Sequence, residues 1–256
     1  MPQFEYADAA IHYEEFGSGF PILIFAPGGL RSEISFWHRS PSNPAAAPPW
    51  MNPMTELAAK YRVVAMDQRN AGKSRGGVAA DHGWHTYAQD HLALMDHLGI
   101  ARAHVMGGCI GASFCLKLCE MAPDRVAAAV LQNPIGHAEN RDVFANLVKA
   151  WAEGMSNAGH KLDDATLASF GRNLFGGDFV FSVSRDFVRR CATPLLVMPG
   201  DDAPHPQAIG EEIAALAPNC EVMRAWKGPA HLQEAIGRVT AFLARHTPGP
   251  GTRAAA

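Results

Sequence analysis

The chain has 256 residues, 48% of them apolar and 18% charged, with a formal net charge of −3. That length suffices for one large domain with a substantial core. The weak negative charge excludes the basic footprint of proteins that bind nucleic acid or anionic membranes, and no run approaches the ~18 apolar residues of a membrane helix. The opening Met1-Pro2-Gln3-Phe4-Glu5 has neither the basic region nor the apolar core of a secretion signal. Five cysteines form an odd count without framework spacing, so reduced thiols and a cytoplasmic location are expected.

Taken in order, Ile11 to Phe16 reads as a strand closed by Gly17-Ser18-Gly19. Ile22 to Phe25 is a short buried strand that runs into Ala26-Pro27-Gly28-Gly29-Leu30. Arg31 to Pro53 is a long irregular segment with Trp37, Trp50 and several prolines, a length that compact domains reserve for functional or surface excursions. Met54 to Lys60 suits a short helix and Arg62 to Met66 a strand. Gly72-Lys73-Ser74 is not a phosphate loop, because Asp67 stands where that motif needs glycine. Thr86 is expected to cap a helix running to Leu98. Val126 to Leu131 is an all-apolar strand, and the segment from His137 to Arg190 turns helical. Pro194 to Met198 resumes the strand pattern and ends at Pro199-Gly200-Asp201-Asp202. Gln207 to Leu216 is helical, Glu221 to Trp226 a last strand, and Leu232 to His246 a last helix. The expected division is a core over 1–134 and 192–247, a helical insertion over 135–191, and a tail over 248–256. Strands alternating with helices imply an α/β fold with a mostly parallel sheet covered on both faces. Reactive groups then gather beyond the carboxyl ends of the strands.

The informative stretch is Ala103 to Ala122. A short apolar strand ends in Gly107-Gly108, and an apolar helix begins after Cys109. A strand that turns at once into a helix strains and exposes its pivot residue, and the residues two positions away on each side must be tiny. Gly107, Cys109 and Gly111 meet that demand. The Cys109 sulfur would stand at a helix N-terminus, where free N–H groups and the helix dipole favour a thiolate. Cys115 and Cys119 lack the spacing of a zinc site and suit packing along the helix.

These features together resemble the α/β-hydrolase superfamily: Pro27-Gly28-Gly29, the turn from Asp67-Gln68-Arg69 through Ser74, the Gly107–Gly111 elbow, Gly200-Asp201-Asp202, and Gly228-Pro229-Ala230-His231. The resemblance covers nearly the whole chain and implies an α/β-hydrolase fold with a helical cap. Cysteine replaces the usual serine, as in dienelactone hydrolases, whereas the remainder is closer to the esterase and C–C-hydrolase branch. The resemblance implies a nucleophile, acid and histidine in that chain order: Cys109, Asp202 and His231, with Asp201 the runner-up acid and His205 the rival base. The amides of Ile110 and of the Gly28-Gly29-Leu30 loop, Gly29 in particular, would form the oxyanion hole. The turn at Asp67 would be structural.

The implied chemistry is hydrolysis of an ester, lactone or thioester through an acyl-thioester on Cys109, with no cofactor and no metal. Acyl transfer on the same fold and a non-hydrolytic ligand-binding protein are the alternatives. A small-molecule substrate is expected, with no nucleic-acid or membrane partner and room for a homodimer. His82 and His85 are expected at the surface or in capping, and His137, which opens the insertion, is a candidate pocket residue. Met155, Phe175 and Phe179 read as packing beneath the insertion.

Overall fold

The computed structural model describes residues 2–40, 43, 48–157, 159–160 and 162–249. Pro41, Pro44 and the tail from residue 250 lie outside the described residues. The elements in order are β1 (Gln3–Tyr6), β2 (Ala9–Phe16), β3 (Phe20–Phe25), α1 (Pro53–Glu56), β4 (Tyr61–Met66), α2 (Trp84–His97), β5 (Ala103–Gly108), α3 (Ile110–Met121) and β6 (Val126–Gln132). There follow α4 (Arg141–Asn157), α5 (Asp164–Phe175), α6 (Arg185–Arg190), β7 (Leu195–Met198), α7 (Gln207–Leu216), β8 (Cys220–Val222) and α8 (Leu232–His246).

The eight strands lie in the order β1-β2-β4-β3-β5-β6-β7-β8. β2 runs antiparallel to both its neighbours, and every other pair is parallel. Parallel strands need crossovers, so helices cover both faces and the strands are apolar on both sides. Alternate residues sort onto the two faces. Leu23, Phe25, Val105 and Leu131 pack with Leu94 of α2 and Phe114 of α3. Ile22, Ile24, Met106 and Val130 pack with Met54 of α1 and with Val239 and Phe242 of α8. β5 and β6 are buried along their whole length. α3 is correspondingly apolar, with Cys115 and Cys119 both buried. No helix among the described residues is long and apolar enough to cross a membrane.

The expected strands and helices are present, with one further strand and with shifts at several ends. β1 escapes a search for apolar runs because Gln-Phe-Glu-Tyr buries only Phe4 at the sheet edge. Thr86 is not the cap of α2: Gly83 takes that position, and the Thr86 hydroxyl inside the first turn accepts from the Gly83 amide at 3.1 Å. The short helix stops at Glu56, before the expected Lys60. β8 ends at Val222 rather than Trp226, whose indole N–H turns back to the Pro199 carbonyl at 2.8 Å. Met155, Phe175 and Phe179 lie in the hydrophobic core, as expected of packing residues.

The turn after β4 is tied down by polar groups. Asp67 accepts from the amides of Ile34 at 2.7 Å and Lys73 at 2.8 Å. Arg69, 5% exposed, forms a two-pronged pair with Asp90, 1% exposed, at 3.0 and 2.8 Å, and a third contact reaches Asp8 at 2.6 Å. Burial pushes the Asp90 carboxyl up, and the guanidinium opposes it. Removing one partner of such a pair strands the other charge in the core. Arg69→Ala is therefore expected to cost about 3–5 kcal/mol, read as a lower midpoint in urea unfolding.

Candidate active site

β5 passes directly into α3 at Cys109, whose backbone sits at φ 58, ψ −120. An L-residue adopts this region only when its surroundings hold it there. Two glycines allow it. A Cβ on Gly107 would lie 2.0 Å from the Gly111 carbonyl oxygen, and one on Gly111 would lie 2.2 Å from that of Phe25. The Cys109 amide donates to the Gln132 carbonyl at 3.0 Å, which anchors the pivot to β6. The half-buried thiol stands beside the first turn of α3.

The loop after β7 supplies the groups opposite. Asp202 and His205 close a tight turn, the His205 amide donating to the Asp202 carbonyl at 3.0 Å. The Asp202 carboxylate also bonds His205 Nδ1 at 2.5 Å. Gly200 is required here, because a Cβ would lie 2.3 Å from the His205 carbonyl oxygen. Pro204 and Pro206 flank the histidine and restrict its backbone. With Nδ1 engaged by the carboxylate, Nε2 is buried with no hydrogen-bond partner among the described residues, and the Cys109 thiol is close enough to favour a positive charge on the ring.

Burial alone would push the Cys109 thiol up. The His205 imidazole and the amides of Gly28 and Ile110 outweigh burial and hold the thiol below its ordinary value. Burial likewise opposes a charged His205, but Cys109 and Asp202 raise it to about 9. The His205 hydrogen bond in turn lowers Asp202. The three groups thus favour a thiolate facing an imidazolium held by a carboxylate.

Of the residues expected at the site, Cys109, Ile110 and Asp202 come together, and the imidazole beside the thiol is that of His205. His231 stands just before α8 and lines a separate cleft of about 240 Å³ with Asp201, Gln207, Arg224, Trp226 and Lys227. Asp201 faces that cleft and pairs with Lys227. The loop amide directed at the sulfur is that of Gly28, one residue before Gly29. Gly29 is instead covered by Leu147 of α4, which a Cβ there would meet at 2.5 Å. His137 adopts φ 93, and its Nδ1 accepts from the Glu139 amide at 3.4 Å. His82 Nδ1 accepts from the Ala79 amide at 3.3 Å, and His85 is exposed, as expected. Sequence reasoning missed Asn140, whose side-chain amide donates to Ala203 at 2.7 Å between Asp202 and His205. No sequence signal distinguishes that asparagine. Among the described residues, no group of three or more His, Cys, Asp or Glu is arranged to hold a metal ion.

Residues 21–193 match the family model described as alpha/beta hydrolase fold. The chain belongs to this family. It is 29% identical over 241 residues to BpoC of Mycobacterium tuberculosis, named as a candidate non-heme bromoperoxidase, covering 81% of this chain and 85% of that one. It is 30% identical over 140 residues to RutD of Azorhizobium caulinodans, named as a candidate carbamate hydrolase, covering 54% of this chain. The chain spans about half the length of that relative, 46%. Among solved structures, the enol-lactonase of Burkholderia xenovorans LB400 superimposes with a TM-score of 0.67 at 22% identity, covering 95% of this chain and 100% of that one. That likeness establishes the fold.

Because the Gly111 position faces the Phe25 backbone, Gly111→Val should cost about 3 kcal/mol or more, seen as a lowered thermal midpoint or insoluble expression. The thiol makes a second expectation. Alkylation of Cys109 by iodoacetamide should stay fast below the ordinary thiol value of about 8.5 and slow only as pH falls through the lowered value. In His205→Ala only the Gly28 and Ile110 amides remain to oppose burial, so the same profile should move upward.

Proposed function

We propose that the chain is a hydrolase that cleaves an ester, lactone or thioester through a Cys109 nucleophile. What supports this reading is the bond from the Asp202 carboxylate to His205 Nδ1, together with the mutual charge stabilisation of the His205 imidazole and the Cys109 thiol. The thiolate attacks the acyl carbon, and the carbonyl oxygen becomes an oxyanion. The Ile110 and Gly28 amides, which stabilise charge on sulfur at rest, are placed to share that developing charge. The His205 imidazolium gives its proton to the leaving alcohol or thiol, leaving an acyl-thioester on Cys109. Neutral His205 then takes a proton from water, hydroxide adds to the thioester, and the acid is released as the thiolate leaves. Asp202 holds the imidazole in the productive tautomer and balances its charge.

The names of the relatives support the same class. A carbamate and an enol lactone each present an acyl carbon bonded to a heteroatom, as an ester does. The helices α4 to α6, inserted between β6 and β7, are read as the cap, with Leu147 lying over the Gly29 turn.

Turnover of a short-chain aryl ester tests the assignment. Cys109→Ala should abolish it, and full activity in that variant would end the reading. His205→Ala should lower kcat/KM by at least about 100-fold, whereas His231→Ala should leave it within a few-fold. The reverse pattern would return the base to the loop after β8.

A further inference from the structure

A second cleft, of about 300 Å³, lies between α4 and the turns that follow β3 and β4. Its α4 wall is Ala150, Trp151, Gly154 and Met155, the same helix face whose preceding turn sets Leu147 on Gly29. Its opposite rim carries Arg31 and Arg75. Arg31 has no hydrogen-bond or ion-pair partner for its guanidinium among the described residues. Arg75 spends Nη1 on the carbonyls of Gly72 and Ser74 and keeps its charge. The carboxylate in the wall, Glu33, is engaged by Arg39 at 2.7 Å, so the rim is net positive.

Gly154 gives independent support. It sits inside a helix of 17 residues, where glycine weakens the helix. A Cβ there would meet nothing within 4 Å, so no neighbouring atom demands glycine. The glycine lines the cleft with no side chain to fill it. Trp151, 4% exposed, also has an indole N–H without a partner among the described residues, an unmet donor in the same wall. The volume suits a small ligand.

We propose that this cleft binds a small carboxylate with an apolar body, the carboxylate at Arg31 and Arg75 and the body against Trp151 and Met155. Cys109 is not among its walls, so the site is separate from the elbow and does not depend on the proposed reaction. It is nonetheless mechanically joined to it. The Arg31 amide donates to the Gly28 carbonyl at 3.2 Å, and Gly28 is the residue whose own amide faces the sulfur. An anion drawing Arg31 toward α4 would pull on that turn.

Titration calorimetry with phenylacetate and with its neutral counterpart phenylacetamide tests the site. Phenylacetate should bind saturably and at least about tenfold tighter than the amide, a charge-assisted contact being the difference. Arg31→Gln should weaken phenylacetate by about tenfold, and Gly154→Leu should abolish binding with the helical circular dichroism kept. Protein carboxamidomethylated at Cys109 should still bind. Equal affinity for the two probes, unchanged affinity in Arg31→Gln, no binding at all, or loss of binding on alkylation of Cys109 would each overturn the proposal. Arg31→Gln carries the decision if Gly154→Leu fails to fold.

Discussion

The left-handed backbone at Cys109 is the constraint from which the site follows. Such a conformation costs about 1–3 kcal/mol for an L-residue, and it is held by its surroundings rather than by itself. Gly107 and Gly111 permit the chain to pass within contact of itself and of Phe25. The Cys109 amide is fixed to Gln132 on the neighbouring strand. With that geometry set, the sulfur stands at the start of α3, where the Ile110 amide faces it. A pivot in the ordinary helical or extended region would carry the thiol elsewhere, and the same glycines would then be needless.

The second half of the arrangement is a short loop rather than a strand end and a distant helix. Gly200, the flanking prolines and the bond from the Asp202 carboxylate to His205 define one compact turn. Its two ends are charged in opposite senses, and each favours the charged form of the other: Asp202 is lowered and His205 is raised. Cys109 belongs to the same electrostatic set, since the imidazole that depresses the thiol is itself raised by it. Burial opposes the charged thiolate and the charged imidazole, so both depend on pairing.

Much of this could be read from residue order. The apolar runs of β3, β5, β6 and β7 mark the sheet, and the Gly-x-Cys-x-Gly spacing marks the pivot, because both signals are local. The polar edge strand β1 and the early end of β8 could not, since each depends on what lies beside it: water in the first case, the Pro199 carbonyl in the second. The choice of histidine was similarly hidden. His205 and His231 both follow the acid in the chain, so order alone cannot separate them. The nearer one had a local signature, an aspartate three residues earlier in a proline-bounded turn, but spacing says nothing of which imidazole reaches the sulfur. Gly28 and Gly29 differ by one peptide unit and both take a positive φ, 120° and 60°, so residue order does not say which amide turns inward.

Because Asp202 and His205 are separated by only two residues and share a backbone bond as well as a side-chain bond, they travel as one body. Thermal breathing between the two halves of the sheet cannot misalign the carboxylate from the ring. It can widen only the single gap between ring and sulfur. Alignment there is a matter of one distance rather than two, and Asn140, reaching from the segment between β6 and α4 to the Ala203 carbonyl, ties down the loop that carries both groups.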